Sequence, residues 1–298
     1  MAITNQSDLN KEMYVGHMEV WKKNLEKPAK EQWREYATIK NSTKMEETYE
    51  TLGNLDPAQE TAPSGQINYG TIKDAYETTV KNKKYTNGFS VDIETYDDDQ
   101  YAVVDETKVN ELYRTMITLR EKNVAAQWNG VFTTTGSDGV AQAASNHPLK
   151  NSALVNDNLM TSGPITPDSV INGAMKFNAI KNQAGDVFDT DATAILAHKD
   201  KMALVQAVLS SNLKAMELSN TKNTVPNLKA IFSKYLDANP WHLLDEAIAS
   251  VIMQIRSGLK TNSYFDDKDT LTWYFNAWER YRAAIIHPGY GFISNPGI

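Results

Sequence analysis

Side chains able to do chemistry are thinly spread along this chain of 298 residues. The histidines His17, His147, His198, His242 and His287 lie far apart, and none falls in an H-E-x-x-H ligand spacing. His147 and His287 each precede a proline, which points to turns more than to metal ligands. The run Asp97-Asp98-Asp99 and the trio Asp266, Asp267 and Asp269 could hold a divalent cation or supply paired carboxylates. A solvated turn is the simpler reading of both, because clustered like charges repel and favour water. Gly136-Ser137-Asp138-Gly139 lacks the G-x-S-x-G order of a nucleophile elbow, and its Asp-Gly pair suits a tight turn. Gly289-Tyr290-Gly291 is too short for a dinucleotide loop, and no Walker sequence occurs. With no cysteine, disulfides, thiolate zinc sites and cysteine nucleophiles are excluded together. No catalytic residue, cofactor or metal site is expected.

Bulk properties narrow the remaining classes. A hydrophobic content of 41% and a charged content of 22% are those of a globular protein with an ample core, in one large domain or two modest ones. The net charge of −7 argues against tight, non-specific DNA binding, which needs basic surface to neutralise phosphates. The amino terminus shows no basic region followed by an apolar run. No stretch approaches the roughly 18 apolar residues of a membrane span. A soluble, cytosol-folding protein with no membrane partner is the expectation.

The elements follow from periodicity. Leu9, Met13, His17, Val20, Trp21 and Leu25 share one face of a helix over 7–26, with Ser7 as its N-cap, and a second helical piece carries Trp33, Tyr36 and Ala37. Residues 41–70 are rich in Gly, Pro, Thr, Glu and Asn and read as loops and short extended pieces. Tyr85–Glu94 alternates as a strand, and Lys81-Asn82-Lys83-Lys84 before it reads as a hairpin tip or exposed turn. Such a ribbon has little core of its own and is marginal alone in water. The longest helix spans about 107–131 with the stripe Val109, Leu112, Met116, Leu119, Val124, Trp128 and Val131, capped by Asp105 or Thr107. Thr166-Pro167-Asp168-Ser169 opens another helix. Beyond it come a buried strand at 192–197, a helix at 201–210, strands at 228–236 and 241–244, an aromatic strand at 271–275, and a Gly/Pro-rich tail. This mixed order is α+β rather than alternating βαβ.

Taken in order, these segments resemble the Mu-type major head subunits of tailed phages. The likeness is carried by Glu35-Tyr36-Ala37-Thr38-Ile39, Tyr49-Glu50-Thr51-Leu52-Gly53, Phe89-Ser90-Val91 with Asp98-Asp99, and Glu121, Ala125, Asn129 and Phe132. It continues through Asp138-Gly139, Ser145-Asn146-His147-Pro148, Asn158-Leu159, Ile195-Leu196, Leu209-Ser210-Ser211 and Trp241-His242-Leu243-Leu244. Ala197-His198-Lys199 departs from a position where the family more often has proline. The resemblance implies a Hong Kong 97-type capsid fold. Its parts would be an N-terminal arm (1–45), an extended loop and following strand (46–100), a peripheral domain with a spine helix (101–189), an axial domain (190–270) and a C-terminal return to the peripheral domain (271–298).

The function so implied is structural: a major capsid protein, assembled in a bacterial host's cytoplasm, that self-assembles into the icosahedral shell around a tailed phage's double-stranded DNA. Partners would be copies of itself in hexamers and pentamers, a portal, a decoration protein, and DNA touched only weakly. No long helical segment precedes the arm, so a separate scaffold protein is expected. Met13, Val20, Trp21 and Trp33 are expected to bury against neighbouring subunits. Lys81, Lys83 and Lys84 are expected to meet acidic surface on an adjacent subunit, with Asp97, Asp98 and Asp99 one candidate. The alternatives are an encapsulin-like compartment shell, a hydrolase using the acidic clusters, and a monomeric binding module.

Overall fold

Burial alternates strictly along residues 272–285, and that alternation organises the molecule. The computed structural model describes residues 6–26, 31–52, 58–70, 72, 74–98, 107–214, 221–248, 250–266 and 271–298; side chains are described from residue 16 onward, apart from 96 and 97. Strand β11 (Thr272–Ile285) pairs antiparallel on one side with β10 (Val251–Asp266) and on the other with β4 (Lys83–Asp92). Strand β1 (Thr38–Asn41) joins β10 in parallel, giving a sheet ordered β1-β10-β11-β4. The inward residues of β11, including Phe275, Ala277 and Tyr281, are buried, whereas its alternate residues line the opposite face.

Two helices cover the inward face. Helix α3 (Val109–Asn129) buries Val109, Leu112, Met116, Val124 and Trp128 of the expected stripe. Neither proposed cap is seen: Lys108 holds the N-cap position without a side-chain bond, and Asp105 lies outside the described residues. Helix α1 (Gln6–Glu26) crosses the same side, where His17 Nε2 meets Thr261 Oγ1 at 2.9 Å and the His17 ring centroid lies 5.0 Å from Phe275. Helix α2 (Ile93–Asp97) closes the far end of β4.

A second sheet, ordered β12-β9-β7-β8, collects β7 (Ala194–His198), β8 (Lys229–Ser233), β9 (Trp241–Leu244) and β12 (Phe292–Asn295). Helix α4 (Pro167–Phe177) and helix α5 (Met202–Ser210) contribute buried residues to its core. The expected α4 start is present as a capping box, with Thr166 accepting from Ser169 N–H at 3.1 Å and Ser169 Oγ accepting from Thr166 N–H at 2.8 Å. Gly173 lets α4 approach β9, since a Cβ there would stand 2.6 Å from Leu243 Cδ1. Trp128 joins the two sheets, its ring edge-on to Phe292 at 5.4 Å.

Several strands depart from the sequence reading: β11 runs to Ile285 rather than ending at 275, β1 is an added strand, and β10 and β12 are new. Strand β10 carries an apolar start and then register shifts between Ile255, Ser257 and Lys260, and these bulges break the period that would have revealed it. The Gly/Pro-rich tail contains β12, fully buried and held by Met160 N–H to Ser294 O at 2.8 Å and Ser294 N–H to Asn158 O at 2.8 Å. The pairings also cut across the expected segments: β10, inside 190–270, belongs with β4 and β11, whereas β12 joins β7 and β9.

Candidate assembly surface

The four residues at 81–84 form no hairpin tip. Lys81 ends strand β3 (Glu77–Lys81), which pairs with β2 (Glu46–Glu50), and Lys83 begins β4 in the large sheet. Asn82 between them is buried and donates to Ser42 Oγ and Lys44 O, both at 3.0 Å. The chain thus switches sheets at a pinned residue, while Lys81, Lys83 and Lys84 stay exposed. Of the acidic candidates, Asp98 is exposed; the Asp97 side chain and all of Asp99 lie outside the described residues.

The β2–β3 ribbon lies on the outer face of the large sheet at one end. Val80 packs with Ile252 and Ile286, and Tyr49 Oη donates to Gln254 Oε1 at 2.8 Å. Its base is closed by Thr51 N–H to Tyr76 O at 2.8 Å, and fastened by Lys150 Nζ to Ala75 O at 2.9 Å and Asn151 Nδ2 to Asp74 O at 2.7 Å. Beyond that base the loop leaves the body. Ile67, Tyr69 and Ile72 are 72%, 84% and 75% exposed. These large apolar side chains stay in water although the base of the loop is fastened.

The arm behaves in the opposite way. Trp21 is 2% exposed, packed among Val109, Leu112 and Met116 and edge-on to Tyr113 at 5.7 Å. Trp33 is fully buried with Val124 and Trp128, and its N–H donates to Glu121 Oε2 at 3.1 Å. Val20 is half-buried on the same cluster as Trp21. The burial expected of Trp21 and Trp33 against neighbours is therefore supplied by their own subunit; the Met13 side chain is outside the described residues.

A buried ion network ties the arm down. Arg120 on α3 donates to Glu31 Oε1 at 2.7 Å and to Glu279 Oε2 on β11 at 2.5 and 2.8 Å. Burial alone would raise the Glu31 carboxyl, but the bonds and charge of Arg120, with Arg34 behind them, hold it below the usual range. At Glu279 burial wins and the carboxyl is raised against the pull of Arg120. Nothing in the sequence spacing signals this network, whose members are 89 and 159 residues apart.

His17, His147, His242 and His287 are buried, whereas His198 Nδ1 accepts from Asp200 N–H at 3.2 Å. His147 sits between Asp138 at 2.5 Å and Asn158 Oδ1 at 3.0 Å, and Asp138-Gly139 forms the expected turn with Gly139 at φ +86°. Burial pushes His242 down to about 3 and His17 down to about 4; His287 falls to about 4 through burial and then the charge of Lys40. Among the described residues no three His, Asp or Glu side chains gather closely enough to hold a metal ion, and no helix is long and apolar enough to cross a membrane.

Solved structures sharing this architecture are shells. The chain aligns with the procapsid of bacteriophage JBD30 at a TM-score of 0.57 and 15% identity, covering 99% of this chain and 77% of that one. It aligns with the capsid of a native GTA particle at 0.57 and 9% identity, covering 90% of each. A virus-like particle from Pyrococcus furiosus aligns at 0.53 and 11% identity, covering 95% of this chain and 99% of that one. The fold is a Hong Kong 97-type capsid fold. Residues 10–169, just over half the chain, match the Mu-like prophage major head subunit gpT family. The chain belongs to that family and is a major capsid protein of the virion, which sets the compartment-shell alternative behind the phage one. A comparison with curated protein sequences found no match.

Proposed function

We propose that this chain tiles with copies of itself, as hexamers and pentamers, into the closed icosahedral shell around a tailed phage's double-stranded DNA, and catalyses no reaction. The observation that carries this reading is the fastened loop whose Ile67, Tyr69 and Ile72 project into solvent. Their burial against a neighbour would remove apolar surface that the single subunit cannot cover. Each contact need only be modest. About 4 kcal/mol corresponds to millimolar affinity, yet several such contacts on one subunit fix it by multivalency.

Lys81, Lys83 and Lys84, exposed where the ribbon meets the sheet, face acidic surface on an adjacent copy, with Asp97–Asp99 a candidate. Exposed ion pairs contribute only about 0–1 kcal/mol each, so they set register more than affinity. In this scheme the ribbon and loop over 46–81 are the reaching element, α3 with the large sheet is the peripheral body, and the sheet β12-β9-β7-β8 is the axial body. Assembly takes place in the bacterial cytoplasm with a separate scaffold protein, a portal and a decoration protein, and the acidic chain touches DNA weakly. Negative-stain electron microscopy of the purified protein, alone and with its scaffold, tests this. Shells, tubes or rings of five and six are expected; uniform monomer under both conditions would overturn the reading.

A further inference from the structure

Among the described residues the large sheet ends in a strand with one side unpaired. Among the described residues β4 is the edge of the order β1-β10-β11-β4, and it is ten residues long. Gly88 N–H is taken at 2.9 Å by the exposed Asn87 Oδ1, so it points away from β11. By alternation the N–H groups of Thr86 and Ser90 also face the open side. Such an edge is a template for pairing with another chain.

A cleft lies on each face of this edge. One, of about 590 Å³, runs between β4 and α3 and is walled by Phe89, Val91, Leu112 and Thr115. The other, of about 630 Å³, lies on the outer face beside Lys84, Asn262, Tyr274, Asn276 and Trp278. Asn87, Gly88, Phe89 and Ser90 border both. A strand laid along the edge would send alternate side chains into the two clefts.

We propose that segment Gln66–Gly70 of a second copy adds to the free edge of β4 as an antiparallel fifth strand. This rests on the shell reading above and names the acceptor for the projecting loop. Ile67 and Tyr69 are two residues apart and so share one face of an extended segment, with Asn68 on the other. With Tyr69 opposite Phe89, Ile67 falls opposite Val91 in the apolar cleft and Asn68 falls opposite Ser90 beside Asn262 and Asn276. In this antiparallel sense the acidic base of the loop lies towards the Lys84 end of β4, whereas a parallel strand would turn it towards Glu94. Charge also favours the pairing at larger scale. Residues 46–77 carry seven acidic side chains and one lysine, and the start of β4 carries Lys81, Lys83 and Lys84.

The absence of native cysteine makes a clean test. Directly opposed residues in such a pair lie about 5.5 Å apart at Cα, within disulfide range. Shells of the Asn68→Cys, Ser90→Cys double variant, oxidised and run without reductant, are expected to give a ladder of covalently joined subunits. Shells that form and show no ladder, or a link confined within single subunits, overturn the fifth strand and leave the shell reading standing. If the unmodified protein forms no assembly, the shell reading falls and takes this proposal with it. Ser90→Pro removes an edge N–H that makes no bond within the sheet, so the subunit should keep its melting temperature and lose assembly. Normal shells from that variant would overturn the proposal.

Discussion

The arm and the loop each carry large apolar groups, and the subunit treats them oppositely. Trp21 and Trp33 are 2% and 0% exposed, set into helix α3 and the core of their own chain. Ile67 and Tyr69 are 72% and 84% exposed. The difference lies in what each segment can reach. The arm crosses the face that α3 and β11 leave apolar, and its end is bonded there through Glu31 and Trp33. The loop is fastened at its base to residues 150 and 151, and beyond that base Ile67, Tyr69 and Ile72 stand in solvent. One apolar segment is therefore packed within the subunit, and the other stays exposed on it.

Four measurements would break or sharpen that contrast. The largest effect is expected from Arg120→Met, which leaves Glu31 and Glu279 buried without their cation. Loss of one partner of a buried ionic group costs about 3–5 kcal/mol, so chemical denaturation should show a subunit close to unfolding. Trp33→Ala should follow at about 3–5 kcal/mol, the cost of a large core cavity. A variant that keeps its stability and fails only in assembly would return the arm to the role expected from sequence.

Acid should destabilise the subunit next. His17 and His287 titrate near 4 and His242 near 3 in the folded chain, against about 6.5 when unfolded. As pH falls below about 6.5 the unfolded chain takes up protons first. Stability is therefore full above that value and is lost as pH falls towards 4 and then 3, by up to about 1.4 kcal/mol per pH unit for each histidine. Thermal melts from pH 7 to 4 would check this, and a flat profile would contradict the buried placement. The smallest effect on the subunit is expected from Ile67→Ser with Tyr69→Ser. Exposed substitutions of this kind stay within about 0.5 kcal/mol, so melting should be unchanged while assembly is lost.

Local signals in the sequence located the elements whose pattern is self-contained. Thr166-Pro167 marked a helix start because capping and proline geometry act within a few residues, and the α3 stripe was visible because one face packs over its whole length. Strand β10 was hidden by its bulges, and β12 by the glycines and proline around four buried residues. The ordered likeness to Mu-type head subunits carried the fold class where single motifs were weak.

By itself the sequence determined that this chain is an α+β shell subunit without a catalytic spacing, because absent cysteines, scattered histidines and collinear family segments are all one-dimensional facts. Only the tertiary structure decided which apolar segment faces inward. Trp33 and Tyr69 are alike in character, and burial depends on the surface each one meets, which is set by residues such as Glu121, Trp128 and Arg120 far along the chain. The sheet switch at Asn82 and the open edge of β4 belong to the same class of fact. Both follow from strands pairing across nearly two hundred residues, a distance over which no local pattern reports.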